Sequence, residues 1–336
     1  MKRVIVAISL EMMNQWDALE QGCIIGEYEV VFHSNPRMTI RKDRTFFNFD
    51  FAIDCGQTKI DGYLMSSVVP KDRLVIIPRF NKVEQHLRLR EAVDNALLHD
   101  IDLSNFVAID IYHNSQTNGN THLLDIDVPV VVKPLDGARG IGQFLVRKPS
   151  GVLIKIVDAV NAVRHKRLAA SEVIASLSAY SDRFVYSTKG ERVPFEGIAA
   201  IAEDGICIQG FVPDIIGEYR LITDADCKIV YCQRRDIVTV VTNEDRGFPQ
   251  AVGGGGDIHD EIPLEKVVRE EEVEAIEYLA KAVVGPCSSI DLFVTADKRW
   301  GFFEYCNQFG VIGVRTAVVK GVCEGLLKKT IDGLDL

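Results

Sequence analysis

The chain has 336 residues, 47% hydrophobic and 26% charged, an ordinary globular composition with apolar material for two or three packed units. Its net charge of −10 excludes broad binding to nucleic acid or anionic membrane, because no basic surplus exists to neutralise phosphates; a local cationic pocket stays open. No apolar run approaches the roughly 20 residues that span a bilayer, and the eight cysteines include no CxxC pair, so reduced thiols and a cytoplasmic location are expected.

Met1, Lys2 and Arg3 precede VIVAISL, which resembles a signal peptide only superficially. The apolar stretch is short, meets Glu11 at once and lacks a small-residue cleavage site, so it reads as a first strand. YEVVF, FDFAID and LVIIPRF are further strands, and a helix is predicted over Val83 to Leu98. FVAIDIYH, from Phe106, reads as a strand running into the polar loop SQTNGNT. Then come VPVVVKP and IGQFLV around a glycine-rich turn, a segment with helical stretches from Ile154 to Tyr180, and the strands ICIQGFV, EYRLIT and KIVYCQRRDIVTVV. A tetraglycine at 253–256 disfavours regular structure. A helix is predicted over Leu264 to Val284, then a hairpin of IDLFVT and WGFFEYC, then a last helix over Thr316 to Lys329. The expected units are 1–115, an open α/β domain; 116–205, a central unit with the glycine-rich flap; and 206–336, a unit with the hairpin.

Two segments carry chemistry. In VVVKPLDGARGIGQFLV, Gly137, Gly140 and Gly142 let backbone N–H groups approach an anion without Cβ obstruction, while Lys133 and Arg139 add cations. GARGIG is not a dinucleotide fingerprint, because a returning strand follows it where that motif needs a helix. The readings are a flap over phosphates or a hairpin without a ligand. In SIDLFVTADKRWGFFEYCNQFG, a turn centred between Asp297 and Lys298 sets Asp291 opposite Glu304, with Phe293 and Phe302 paired beyond them. Two carboxylates facing each other at about 4.5–5.5 Å are unfavourable without a cation between them. Magnesium, an oxygen-seeking ion commonly shared by one or two carboxylates and substrate phosphates, explains the pair, and Asn307 adds a neutral oxygen. A solvated acidic pair, or pairing with Lys298 or Arg299, is the other reading. The seven histidines show no ligand spacing.

These segments, in this order, resemble the ATP-grasp superfamily, in particular the branch of ribosomal-protein glutamate ligases and glutathione-synthetase-like enzymes. The resemblance runs from about Asp125 to the C-terminus. It implies a mixed α/β and α+β architecture, an N-terminal open α/β domain followed by a two-subdomain ATP-grasp fold. It further implies that ATP is bound by Lys133 and the loop of Gly137, Arg139, Gly140 and Gly142, by adenine contacts along Gln209, Gly210, Phe211 and Val212, and by Glu218 at the ribose. Arg234 or Arg235 would serve the transferred phosphate and Arg220 a carboxylate substrate. Asp291, Glu304 and Asn307 would hold one or two magnesium ions, replaceable by manganese. The implied reaction joins a carboxylate to an amine through an acylphosphate, on a small molecule or a protein terminus; a homo-oligomer is compatible with it. A nucleotide-binding sensor without ligase activity, or a thiol or phosphate acceptor, is the alternative. The sequence departs from the pattern in three ways. Gly210 stands where an acidic residue is usual, and Asn307 lies three residues after Glu304 instead of two, which a β-bulge would correct. The upstream nucleotide lysine falls on Lys82, well before Lys133.

Overall fold

A computed structural model of the chain describes residues 2–7, 22–25, 28–33, 51–54, 74–76, 80–114, 123, 125–135, 144–165, 169, 172, 184–186, 205–235, 258–306 and 316–332. The expected flap residues Gly137, Arg139, Gly140 and Gly142, the amide Asn307 and the tetraglycine at 253–256 lie outside the described residues. Among the described residues, no helix is long and apolar enough to cross a membrane.

Three five-stranded sheets are built in chain order. The first contains β1 (Lys2–Ala7), β2 (Gly22–Ile25), β3 (Tyr28–His33), β4 (Phe51–Asp54) and β5 (Leu74–Ile76), in the order β2-β3-β1-β4-β5. Strands β3, β1, β4 and β5 run parallel, and β2 folds back on β3. Helix α1 (Lys82–Ala96) follows. Asn81 caps it: its side chain accepts from the N–H groups of Val83 and Glu84, both at 3.0 Å, and Glu84 returns a bond to Asn81 N.

The middle sheet is antiparallel throughout. Its strands are β6 (Ile111–Asn114), β7 (Val130–Pro134), β8 (Phe144–Val146), β9 (Phe184–Tyr186) and β10 (Ile206–Gly210), in the order β6-β10-β7-β8-β9. The two-residue period of a strand sorts its side chains. Val130, Val132, Ile206 and Ile208 pack on Ile156, Val157 and Val160 of α2 (Leu153–Arg164), while Lys133, Cys207 and Gln209 lie on the other face.

The third sheet, also antiparallel, contains β11 (Ile215–Thr223), β12 (Ile229–Arg235), β13 (Ile258–Glu261), β14 (Ser289–Thr295) and β15 (Trp300–Cys306), in the order β13-β12-β11-β14-β15. Its apolar face, with Leu221, Cys232, Ile290 and Leu292, forms one core with Ile276, Leu279 and Val283 of α3 (Glu270–Val283) and with Leu89, Ala92 and Ala96 of α1. A last helix, α4, spans Thr316–Asp332.

Several expectations shift. The strand expected from Phe106 begins only at Ile111; Phe106 makes a single parallel bridge to Trp300, and Val107 N–H donates to Trp300 O, so this segment extends the third sheet before it enters the middle one. The helix expected from Leu264 starts at Glu270: Pro263 opens a short 3₁₀ turn, and Glu272 then accepts from the Arg269 N–H and guanidinium to start the helix. The sheets also cross the unit boundaries drawn at 115 and 205, because β6 and β10 both pair within the middle sheet. Finally, Phe293 does not face Phe302. A bulge at Phe303 slips the register by one residue, so Leu292 pairs with Phe302 and Phe293 with Gly301.

That slip makes Gly301 indispensable. A Cβ there would overlap both the Phe293 ring, which is fully buried, and the carbonyl of Val107. Backbone cannot yield as a flexible side chain can, so Gly301→Ala is expected to destabilise the chain by about 1–3 kcal/mol. Urea unfolding checks this as a drop in midpoint at unchanged slope.

Candidate active site

The polar face of the third sheet is assembled by strand register alone. Glu218 lies opposite Arg235 and Phe293, Arg220 opposite Gln233 and Asp291, and Asp291 opposite Glu304. These residues therefore form one continuous charged surface, back to back with the apolar core. Arg234 alternates to the other face, opposite Tyr219, and is exposed. The basic pair thus contributes Arg235 to the cluster and leaves Arg234 out of it.

The expected opposition of Asp291 and Glu304 is present, and each carboxylate has cations beside it. Arg220 grips Asp291 with both arms, Nε to Oδ1 at 2.8 Å and Nη2 to Oδ2 at 2.9 Å. Arg235 Nη1 stands 3.4 Å from the same Oδ1 and 4.0 Å from Glu218 Oε1. Glu304, whose side chain is 39% exposed, is met by Lys82 Nζ at 3.4 Å.

Lys82 arrives from a distant part of the chain. It is the first residue of α1, and its own N–H donates to Leu135 O, just past β7. The start of the helix is thereby tied to the end of the strand that carries Lys133. One turn on, buried Gln85 accepts the Tyr305 N–H at 3.1 Å and donates to Phe80 O at 2.9 Å, holding α1 against β15 beside Glu304. Lys133 is buried opposite Cys207.

The titration behaviour follows from burial. Desolvation pushes the Lys133 ammonium below its ordinary value, against the pull of Cys207 and Glu304, and Lys82 adds to the lowering. Burial likewise lowers Arg235, opposed first by Asp291. At Asp291, burial works to raise the pKa, but Arg220 and then Arg235 outweigh it and hold the carboxyl below the usual range. Glu218 goes the other way: burial, reinforced by Asp291, lifts it to about 7 despite Arg235 and Arg220.

The other end of the site is the connection after β10. Gly210 N–H donates to Asp110 O at 2.8 Å and Phe211 N–H to Pro129 O at 3.1 Å, so these two donors of the expected adenine strand are engaged; Gln209 is buried. Gly210, Phe211 and Val212 line a cavity of about 330 Å³ together with Asp110, Asp214 and the ion pair of Asp297 with Arg299. Gln233, fully buried between Arg220 and Glu261, was missed by motif reading, though its place two residues before Arg235 puts it on the same face.

Asp291 and Glu304 offer the hard oxygen donors that a divalent cation such as magnesium takes, with both Asp291 oxygens engaged by Arg220. The bulge falls before Glu304, at Phe303, and pairing is unbroken from Glu304 to Cys306.

No family model matches the sequence, and no curated protein does. Among solved structures, the D-Ala:D-Ser ligase of Enterococcus faecalis matches over 99% of both chains with a TM-score of 0.51 at 10% identity. A D-cycloserine synthetase matches 97% of this chain and 99% of its own, with a TM-score of 0.50 and 11% identity. The N5-carboxyaminoimidazole synthetase of Staphylococcus aureus, solved with ADP, matches 96% of this chain and 77% of its own, at 0.50 and 11%. The chain has the ATP-grasp fold. Lys133 of the middle sheet is near enough to Glu304 of the third sheet and to Lys82 of α1 to feel the charge of both.

The Glu218 shift has a signed consequence. Between about pH 4.5 and 7 the folded chain holds a proton at this carboxyl that the unfolded chain has released, so its contribution to stability falls as pH rises through that window. Relative to Glu218→Gln, the wild-type chain is expected to lose on the order of 2 kcal/mol between pH 5 and pH 7.5. Urea midpoints of both proteins at the two pH values measure it; parallel profiles would remove the assignment.

Proposed function

We propose that this chain is an ATP-dependent carboxylate–amine ligase that works through an acylphosphate and releases ADP and phosphate, forming an amide or peptide-like bond. The observation that carries this reading is the gathering of Lys82, Lys133, Arg220 and Arg235 around Asp291 and Glu304, from α1, β7, β11, β12, β14 and β15. Four cations stand against three carboxyls when Glu218 is included, and all of these groups except Glu304 are largely buried, a condition that favours binding of a polyphosphate. The names of the three structural neighbours, two synthetases and a ligase, one of them with ADP, agree with it.

Phosphoryl transfer demands alignment and charge neutralisation more than covalent help from the protein. In this reading Lys133 and Lys82 bind the α- and β-phosphates, and the phosphates stabilise the charge of the desolvated Lys133 ammonium. Arg220 orients the carboxylate substrate so that its oxygen attacks the γ-phosphorus and ADP leaves. Arg235, buried and with Nε unpartnered among the described residues, directs donors to the transferred phosphoryl oxygens and then to the oxyanion formed when the amine adds. The amine displaces inorganic phosphate, and the C–N bond replaces the C–O bond of the mixed anhydride. Glu218 bonds the ribose hydroxyls, and the backbone from Gln209 to Val212 receives the adenine. The loop of Gly137, Arg139, Gly140 and Gly142 closes over the phosphates and protects the acylphosphate from water. Magnesium, as one or two ions held by Asp291 and Glu304 with Asn307 as a further oxygen, supplies a Lewis acid that withdraws charge from the phosphate oxygens when bound.

The test is ADP release from ATP in the presence of magnesium with panels of acids and amines, followed by mass spectrometry of the adduct. Acid- and amine-dependent ADP release is expected; tight ATP binding without turnover across the panels would favour the sensor reading. Glu304→Ala is expected to lower turnover by about 100-fold or more while the fold persists. A near-normal rate in that variant would remove the metal role of Glu304.

A further inference from the structure

The carboxylate assigned to the metal is already occupied by protein. Both oxygens of Asp291 are taken by the fork of Arg220, at 2.8 and 2.9 Å, and Arg235 Nη1 stands 3.4 and 3.5 Å from them. The pair is poorly solvated, with side chains only 17% and 16% exposed. A planar guanidinium matches a carboxylate at two points, and a pair of this kind away from water is costly to separate. Among the described residues, Glu304 is held far more loosely, by the Lys82 ammonium at 3.4 Å. A divalent ion reaching between the two carboxylates therefore meets one accessible ligand and one that is locked.

We propose that Arg220 is a built-in counter-ion of Asp291, and that it must leave this carboxylate before a divalent cation can bind there. The inference rests on the metal role given above to Asp291. Register makes the exchange local: Arg220 and Glu304 are the two cross-strand neighbours of Asp291, on β11 and β15, so side-chain rotation suffices and the backbone stays in place. The force for the exchange comes from a polyanion. A triphosphate or carboxylate substrate offers the guanidinium a new partner, and the released Asp291 turns to the cation. Cation and anionic substrate thus promote each other's binding, as linkage requires of any two ligands that favour the same state. Arg220 is in this sense a positioning residue for the metal as well as a contact for substrate.

Titration of manganese into the nucleotide-free full-length chain, followed by calorimetry, tests this without turnover. Arg220→Met is expected to bind manganese on the order of tenfold more tightly than the wild-type chain. Arg220→Lys keeps the charge but cannot fork, so a smaller gain is expected, and this variant decides the matter if the methionine variant does not fold. Adding Asp291→Asn to either variant is expected to abolish the gain. Equal affinities in wild-type and variant chains, a gain that survives Asp291→Asn, or no saturable binding in any of them would overturn the proposal. No nucleotide, acid or amine enters the assay, so a failed search for ligase turnover leaves a positive result standing, and equal manganese affinities leave the turnover assay unaffected.

Discussion

Two carboxylates held face to face across one strand pair set the terms for the rest of the site. Asp291 and Glu304 repel each other, and the repulsion is tolerable only because guanidinium and ammonium groups surround them. Those cations cannot all come from the hairpin itself. Arg220 and Arg235 are brought by the neighbouring strands β11 and β12, and Lys82 by a helix more than two hundred residues earlier in the chain. The pairing of like charges thus forces the hairpin, the sheet and the helix to agree on one arrangement.

That arrangement divides the third sheet sharply. One face is mainly aliphatic and aromatic and packs on α1 and α3; the other carries Glu218, Arg220, Arg235, Asp291 and Glu304 beside Gln233 and Phe293. The division has an electrostatic return. Close to a low-dielectric core, Glu218 is lifted to about 7 while Asp291, a neighbour on the same face, is held low by its fork. Two carboxyls of similar chemistry are separated by whichever of burial and cation contact wins at each. A site with such a spread holds acid and anion side by side near neutral pH.

Helix α1 is the mechanical link between the sheets. Its first N–H is tied to Leu135 beside the middle sheet, its Gln85 side chain is tied to β15 of the third, and its apolar residues Leu89, Ala92 and Ala96 are buried in the third sheet's core. Lys82 sits at the end of this link, where the helix N-terminus adds its own partial positive charge. The position of this cation is therefore determined by both sheets.

The alternation of strands is written in single residues, and so is much of the polar face. Asp291 opposite Glu304 was expected from a turn centred between Asp297 and Lys298, but the pairs next to the turn, Val294 with Trp300 and Phe293 with Gly301, lie one residue off that register, and the bulge at Phe303 is what restores the opposition; the order of the strands carrying Lys133 and Gln209 and of the hairpin follows from local motifs. Short-range geometry suffices for the alternation within each strand, because successive side chains point to opposite faces. The sequence did not reveal the slip at Phe303, since a bulge is decided by how Phe293, Gly301 and Val107 fit together in space. Nor did it decide between Arg234 and Arg235, whose identity is the same and whose faces differ only once β12 is registered against β11. Least legible of all was Lys82. Its place beside Glu304 depends on a hydrogen bond to Leu135 and on Gln85 reaching Tyr305, contacts between segments that no local pattern connects. Local propensity and period therefore determine which residues share a strand face; strand register and the packing of a distant helix decide which charges meet, because both depend on contacts between segments far apart in the chain.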